Sequence, residues 1–168
     1  AGPQITAGPE EVSFRADISP LSATVWPILD QPLRSAAGEN SAVLSTVPGG
    51  TALCVLEEKD GFFSVRYQNK HGYVDSRFCM INLPEYVGSL CAYSITNSYA
   101  SVFKVHNYPI DQITGQVIQG FENVHQADGS CLVPLLYPTA QKLIKAAEAA
   151  EKDGYRLKIY EAFRPNEA

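Results

Sequence analysis

The sequence has little of what marks a nucleic-acid or membrane protein. Its 168 residues include 13 Lys and Arg against 18 Asp and Glu, a formal net charge of -5, and the two signs are interspersed. A basic stripe that could neutralise phosphates is therefore missing, and nucleic acid is not an expected partner. The longest apolar stretches, such as residues 131–137, are far shorter than the roughly 20 residues of a bilayer span. We expect no membrane span.

The spacing of the cysteines excludes one common kind of metal site. The four cysteines are Cys54, Cys79, Cys91 and Cys131, and no two stand at the two- to four-residue spacing of a zinc knuckle. Two disulfides in an exported protein and four buried thiols are both compatible with this number. If a disulfide forms, pairing of Cys54 with Cys79 is favoured, because both fall inside one small predicted domain.

The region from about residue 21 to residue 84 consists of short runs of β-branched and apolar residues. Turn residues such as Asp60-Gly61 and residues 69–72 separate these runs. Runs of this length between turn residues are typical of strands, and five of them can close a small barrel that hides its edges. The predicted strands cover residues 23–26, 42–44, 51–56, 62–67 and 71–74.

The two ends of the chain differ from this region in composition and in the spacing of apolar residues. Residues 1–20 contain Pro3, Pro9 and Pro20, which indicates a leader or linker. In residues 140–152, apolar side chains recur at the three- and four-residue spacing of a buried helix face. We expect Thr139 to cap this helix and Asp153-Gly154 to end it. Residues 155–160 alternate with period two and predict a strand directly after the helix.

Several motifs of the β region resemble the bacterial SH3-like domain. They are Pro32-Leu33-Arg34-Ser35, Pro48-Gly49-Gly50-Thr51, Asp60-Gly61-Phe62-Phe63-Ser64-Val65-Arg66-Tyr67 and Gly72-Tyr73-Val74, in the order of the family. The resemblance implies an SH3-like barrel over residues 21–84 that binds the stem peptide of peptidoglycan. We expect Tyr67 and Tyr73 in substrate binding, although most aromatic residues of this region fit the barrel core. Residues 26–31 lengthen the first strand connection and alter the groove that it lines.

A second resemblance covers the C-terminal half of the chain. Residues 154–165, which end in Glu161-Ala162-Phe163-Arg164-Pro165, and the turn Asp111-Gln112-Ile113-Thr114-Gly115 resemble the zinc D-alanyl-D-alanine dipeptidases and carboxypeptidases. The resemblance implies that residues 85–168 are the N-terminal portion of such a domain. In it Arg164 stabilises the oxyanion, Glu161 orients Arg164 or faces the substrate ammonium, and Asp111 contributes to substrate binding. The expected fold class is a mainly β small SH3-like barrel plus part of an α+β peptidase domain.

The zinc ligands of that family have no counterpart in this sequence. Neither its Ser-x-His-x-x-Gly-x-Ala-x-Asp motif nor its Glu-x-x-His motif occurs here. Zinc is expected for the complete family domain, but we predict none bound by this chain alone, which is then catalytically inactive. The missing C-terminal half of the peptidase domain is a candidate partner. His125 and Asp128 could both bind a metal, but Asp128-Gly129-Ser130 is also an ordinary turn, and His71 is expected at a strand surface.

Three functional hypotheses follow. The first is an exported, cell-envelope zinc metallopeptidase that cleaves D-Ala-D-Ala or a related stem-peptide bond and carries an SH3-like wall-binding domain. The second is a non-catalytic peptidoglycan-binding protein. The third, less favoured, is an SH3-linked cysteine peptidase of the cell wall with Cys91 as its nucleophile, since Cys91 lacks the surrounding motif of that family.

Overall fold

The computed structural model describes residues 18–93, residues 133–160 and residue 162. The described part of the chain is mainly β, with two α-helices, α1 (Leu83–Val87) and α2 (Tyr137–Lys152), and two 3₁₀ turns, Ser76–Phe78 and Gly88–Leu90. The strands are β1 (Thr24–Pro27), β2 (Gln31–Arg34), β3 (Val43–Val47), β4 (Leu53–Cys54), β5 (Glu57–Lys59), β6 (Phe62–Tyr67), β7 (Lys70–Asp75), β8 (Cys79–Asn82), β9 (Ala92–Tyr93), β10 (Pro134–Leu136) and β11 (Lys158–Ile159).

Five strands form an antiparallel sheet in the order β3-β2-β7-β6-β5. Its two tight hairpins depend on residues with positive φ, namely Asp60-Gly61 between β5 and β6 and Gln68-Asn69 between β6 and β7. Two-residue turns of this kind match the twist of the strands that they connect. The turn at Asp60-Gly61 was predicted. The second turn lies at residues 68–69 rather than 69–72, so β7 begins earlier than expected.

Gly72 allows β7 to approach β2 closely. A Cβ atom on Gly72 would lie 2.6 Å from Cγ of Leu33 and 2.8 Å from the carbonyl oxygen of Arg34. Every other residue has a Cβ atom, so a side chain here would push the two strands apart. The SH3-like motif Gly72-Tyr73-Val74 thus contains a glycine that the packing of this sheet requires.

A second antiparallel sheet has the strand order β10-β8-β1-β4. Its outer strand β10 pairs with β8, although about fifty residues separate the two strands in the sequence. The side chain of Asn82 secures this junction, because its Oδ1 accepts a hydrogen bond of 2.8 Å from the Val133 N–H. The Leu83 N–H in turn donates to the Val133 carbonyl oxygen at 2.9 Å.

The two sheets share one core with the start of α2. Val25 and Ile81 of one sheet and Phe63 and Val74 of the other belong to it, and so does Tyr137 at the start of the helix. The Tyr137 ring meets that of Phe63 edge to face at 4.7 Å. Its hydroxyl donates a hydrogen bond of 2.6 Å to Oε1 of Glu58. The predicted domain boundary at residue 84 stays a prediction, and the described residues on its two sides pack against each other.

The predicted helix is present, but it begins three residues earlier than expected. It starts at Tyr137 with Leu136 as N-cap, so the prediction of Thr139 as N-cap was wrong. Pro138 lies in the first turn, where its missing N–H costs no helical hydrogen bond and its fixed φ favours the helix. The predicted C-terminus is confirmed, with Asp153 as C-cap and Gly154 at φ +84°.

The strand predicted over residues 155–160 is shorter than expected. Only Lys158–Ile159 forms a strand, β11, and it pairs in parallel with β9. The Arg156 guanidinium instead donates to the carbonyl oxygens of Ser89 at 2.7 Å and Cys91 at 3.2 Å. The period-two pattern therefore predicted the position of the strand and overestimated its length.

The favoured disulfide between Cys54 and Cys79 is absent, because both are free thiols. β1 lies between their strands, β4 and β8. Two strand spacings separate residues by about 9.6 Å, which is more than the roughly 7 Å that a disulfide can span between Cα atoms. Burial, followed by the nearby charge of Asp75, raises the pKa of the Cys79 thiol to about 12. Cys79 therefore stays protonated at neutral pH.

In the part of the chain that the structure describes, no helix is both long enough and apolar enough to cross a membrane.

Candidate binding face of the five-stranded sheet

The hairpin of β6 and β7 presents two chemically different faces. Alternate residues of a strand point to opposite sides of its sheet. On the inner side Phe63, Val65 and Val74 are fully buried in the core. On the outer side lie polar and aromatic residues of the same two strands, together with Arg34 of β2. We call Arg34, Ser64, His71, Tyr73 and Asp75 of this outer surface the polar face. By the strand pairing, the exposed Arg66 and the buried Phe62 lie on the same side.

A row of directly opposed residues runs across four strands of this face. Glu57 of β5 is opposite Ser64, Ser64 is opposite Tyr73, and Tyr73 is opposite Arg34. The Cβ atoms of directly opposed residues are about 4.5–5.5 Å apart. A carboxylate, a hydroxyl, a phenol and a guanidinium group therefore follow one another on one surface at nearly regular spacing.

Tyr73 is held by its neighbours at the centre of the row. The ring of His71 meets that of Tyr73 edge to face, with centroids 5.6 Å apart and an interplanar angle of 71°. The Nε2 atom of His71 is in turn hydrogen-bonded to the hydroxyl of Ser64, and the imidazole tautomer decides which of the two donates. Ser64 is only 2% exposed, so it supports His71 from beneath. Tyr73 and His71 are the groups that a ligand can reach.

Asp75 forms the charged end of the polar face. Its Oδ2 lies 2.7 Å from the guanidinium of Arg77, which also pairs with Glu39 at 2.9 Å. Partial burial raises the pKa of Asp75, but the hydrogen bonds and charge of Arg77, with the charge of Arg34, outweigh it and hold the pKa below its usual 3.8. Asp75 is therefore ionised at neutral pH. The same pairing raises the pKa of Arg77.

The loop of residues 35–42 borders the polar face and is anchored at both sides. The guanidinium of Arg34 donates a hydrogen bond of 3.0 Å to the Ser41 carbonyl oxygen. The Ser41 hydroxyl lies 2.8 Å from the carbonyl oxygen of Ala36 and 2.7 Å from that of Gly38. Together with the pair between Glu39 and Arg77, these contacts hold the loop in one arrangement beside the sheet.

Of the predicted substrate-binding aromatics, only Tyr73 lies on the polar face. Tyr67 is on the opposite side of β6, half-buried against the core. The structure therefore does not bring Tyr67 and Tyr73 together. Phe62 and Phe63 are buried, in agreement with the expectation that most aromatic residues here fill the core. His71 is exposed on a strand, as expected.

The predicted peptidase residues Arg164, Glu161 and Asp111 lie outside the described residues, and their roles stay predictions. The same holds for His125 and Asp128. Cys91 is buried after the 3₁₀ turn Gly88–Leu90. The strand β9, and not a helix, follows it directly.

Sequence reasoning did not select Arg34, Ser64, Asp75 or Arg77 as site residues. The signal that could have found Ser64 and Asp75 is the two-residue period of β6 and β7, which puts both on one face with Tyr73 once the pairing of these strands is known. Arg34 lies in β2 and joins this face only through the pairing of β2 with β7. Arg77 belongs to a 3₁₀ turn, and no alternation extends to it.

The described residues do not fit a zinc site. Among them, no group of three or more His, Cys, Asp or Glu side chains is arranged to hold a metal ion. Three protein ligands are the usual minimum for catalytic zinc.

Comparison with known families supports one of the two resemblances. Residues 32–79 match the family model described as Bacterial SH3 domain. The matched segment contains β3, β5, β6 and β7 and nearly all of β2, and therefore the whole polar face. The chain thus carries a bacterial SH3 domain in this segment, and the match lends no support to a peptidase domain. No curated protein matches the sequence.

Proposed function

We propose that this chain binds bacterial cell wall, and that its SH3 domain holds peptidoglycan through the polar face. The observation that carries the proposal is the setting of Tyr73. It lies half-exposed between His71 and Arg34, on the side of the sheet that faces away from the core. These residues belong to the segment matched by the bacterial SH3 family.

The chemistry of the polar face suits a ligand made of sugars and short peptides. An aromatic ring packs against the apolar faces of sugar rings and against peptide methyl groups, while its hydroxyl forms hydrogen bonds. Arg34 and Asp75 flank Tyr73 and offer a cation and an anion to peptide carboxylates, amides and amines. Ser64 already holds His71, and the loop of residues 35–42 is already anchored. Binding would therefore have to order fewer groups, which lowers its entropic cost. A protein with this function acts at the cell envelope after export.

Sedimentation with purified peptidoglycan tests this function. We expect the full chain to co-sediment and Tyr73→Ala to bind at least about tenfold more weakly, the effect of losing a central aromatic anchor. Tyr155→Ala is the matched control, because Tyr155 is 69% exposed outside the polar face. Thermal unfolding should show that both variants remain folded. Equal binding by Tyr73→Ala and the unchanged chain would contradict the proposal.

A second candidate function is that of a zinc D-alanyl-D-alanine peptidase. The observation that favours it is the order of α2, Gly154 and β11 directly before residues 161–165, as the family resemblance requires. On this proposal Arg164 stabilises the oxyanion, and Glu161 and Asp111 assist substrate binding. The described residues supply no zinc site, so activity would depend on ligands from elsewhere. Zinc analysis and release of D-Ala from D-Ala-D-Ala, with Arg164→Ala as the control, test this function.

A further inference from the structure

One arginine of the β6–β7 hairpin lies on the same side of the sheet as the polar face. Arg66 is exposed, and it is directly opposite His71 in the register of β6 and β7. Within the described part of the chain, no residue forms a hydrogen bond or an ion pair with its guanidinium group. The five N–H donors of this group are therefore available to a ligand.

Arg34 lies on the other side of Tyr73 and keeps most of its donors. It is directly opposite Tyr73 in the register of β2 and β7. To the described residues its guanidinium donates one hydrogen bond, of 3.0 Å, to the Ser41 carbonyl oxygen. Because an arginine has five N–H donors, Arg34 can bind a ligand without giving up this contact.

Tyr73 and His71 lie between the two arginines, because β7 separates β2 from β6. Two strand spacings across the sheet, about 9.6 Å, and two residues along it, about 6.8 Å, put the Cβ atoms of Arg34 and Arg66 about 12 Å apart. The rings of His71 and Tyr73, which meet edge to face at 5.6 Å, lie on the surface between them. Two guanidinium groups thus flank one aromatic pair.

The charge of this surface is opposite in sign to that of the whole chain. Among the residues that the strand register places on this side of β2, β5, β6 and β7, the charged ones are Arg34, Lys59, Arg66, Glu57 and Asp75. Three cations thus stand against two carboxylates, and one of these, Asp75, is already paired with Arg77. The chain as a whole has a net charge of -5. An anionic ligand is therefore favoured beside the two arginines.

The spacing of the two arginines suits the stem peptide of peptidoglycan. A guanidinium group binds a carboxylate through two parallel N–H···O hydrogen bonds. In the pentapeptide L-Ala-D-γ-Glu-L-Lys-D-Ala-D-Ala, the α-carboxylate of the glutamate precedes the C-terminal carboxylate by three residues. An extended chain covers about 3.3–3.6 Å per residue, so these two carboxylates can lie about 10–11 Å apart. Alanine methyl groups next to them can pack on the aromatic pair.

We infer that Arg34 and Arg66 each bind one carboxylate of the stem peptide. The peptide backbone then lies across the rings of Tyr73 and His71. This inference rests on the proposed wall-binding function. It adds Arg66 to the binding residues and defines the ligand as a dicarboxylate peptide. Wall whose stem-peptide carboxylates are converted to amides would accordingly be bound more weakly.

Calorimetric titration of the full chain with this pentapeptide tests the inference. The comparison is the same peptide with both carboxylates amidated. We expect this diamide to bind about tenfold more weakly, the combined effect of two exposed ion pairs. Arg66→Gln should weaken binding of the unmodified peptide about threefold and leave that of the diamide unchanged. Lys142→Gln is the matched control, because it removes the same charge from an exposed position on α2, and it should change neither affinity.

The two monoamides of the pentapeptide show whether each arginine has its own carboxylate. Arg66→Gln should lose its sensitivity to one amidation and keep its sensitivity to the other, because Arg34 is unchanged in this variant. Equal affinity of the unchanged chain for the pentapeptide and the diamide, or no binding of either, would overturn the inference. Full sensitivity of Arg66→Gln to both amidations would also overturn it. Binding of polyphosphate by a chain that does not bind the pentapeptide would assign the arginines to a phosphate ligand instead.

Sedimentation with peptidoglycan separates this inference from the proposed function. If the peptide results overturn the inference, wall binding that still depends on Tyr73 would leave the proposed function standing. Absence of wall binding by the unchanged chain would refute both. Thermal unfolding should show that Arg66→Gln remains folded, since no contact to the described residues is lost with the guanidinium.

Discussion

The inner and outer faces of the β6–β7 hairpin differ in what their side chains do. Phe63 and Tyr73 are aromatic residues on paired strands, but Phe63 is fully buried against Tyr137 while Tyr73 is half-exposed beside His71. The inner face stabilises the fold by burial. On the outer face, His71 is exposed and Tyr73 is half-exposed, and neither belongs to the core cluster. The inner face of this hairpin thus contributes to stability, and the outer face carries the residues of the proposed function.

Phe63→Ala, on the inner face, should cause the largest loss of stability among these variants. Removing a fully buried phenylalanine typically costs about 3–5 kcal/mol in the free energy of unfolding, and here it also removes the ring that packs against Tyr137. Urea unfolding followed by tryptophan fluorescence measures the loss. Tyr73→Ala on the outer face should cost much less while weakening wall binding. Similar losses of stability in the two variants would contradict the division of roles.

Gly72→Ala should have the next largest effect. The added Cβ atom would meet both the Leu33 side chain and the Arg34 carbonyl oxygen at less than 3.0 Å. Because one of these is backbone, the strands must separate, and we expect a cost of about 1–3 kcal/mol. Gly38→Ala is the control, since a Cβ atom there meets nothing within 4 Å. Equal midpoints of thermal unfolding for Gly72→Ala and Gly38→Ala would contradict this expectation, because they would show that β2 and β7 can move apart without loss of stability.

Tyr137→Phe tests the contact between α2 and the five-stranded sheet. It removes the hydrogen bond to Glu58, and we expect a loss of about 1 kcal/mol at neutral pH. Burial, followed by the hydrogen bond to Glu58, raises the pKa of Tyr137 above its usual 10. A raised folded-state pKa means that this stability is present below pH 10 and declines as the pH rises above it.

Stability measured from pH 8 to pH 11 checks this sign. The unchanged chain should lose stability above pH 10 more steeply than Tyr137→Phe. Tyr86 gives a residual slope in the variant, because burial also raises its pKa. Parallel curves for the two proteins would rule out Tyr137 as a source of the pH dependence.

Arg77→Ala should have the smallest effect on stability, because Arg77 is exposed at the surface and exposed ion pairs contribute little. Arg77 holds the pKa of Asp75 below 3.8. The stability from this pair is therefore present above pH 3.8 and is lost as the pH falls through the lowered pKa. The difference between Arg77→Ala and the unchanged chain should be detectable at pH 6 and diminish as the pH falls below 3.8. A difference that does not diminish there would point to packing of Arg77 on the Phe78 ring instead.

Features that depend on nearby residues were predicted well. The Asp60-Gly61 turn, the strand β6 at residues 62–67 and the end of α2 at Gly154 each follow from a few adjacent residues. The SH3-like motifs also lie within residues 32–79, where the family match confirms them. Of the site, Tyr73 was selected in advance. Its partners Arg34 and Asp75 were not, because they come from strand pairings and turns that the motifs do not specify.

Features that depend on distant residues were missed. Neither the strand β10 nor its pairing with β8 was predicted, since it requires residues 79–82 and 134–136 to meet across a long connection. The Cys54–Cys79 disulfide was wrong for the same reason, because the order β8-β1-β4 separates the two thiols. Tyr67 and Tyr73 appeared equivalent in sequence, yet the hairpin register points them to opposite sides.

The sequence by itself determined the local conformation of this protein, because turn residues, side-chain alternation and helix termini act over only a few bonds. It therefore indicated β1, β3, β4, β6 and β7, but not β2, β5 or β8, together with the position of α2 and Tyr73 as a candidate contact. The tertiary structure alone decided which strands pair, and hence which side chains share a surface. The polar face exists because β2, β6 and β7 lie side by side in one sheet. The free energy of these contacts between strands depends on packing between residues far apart in sequence, which no local pattern encodes.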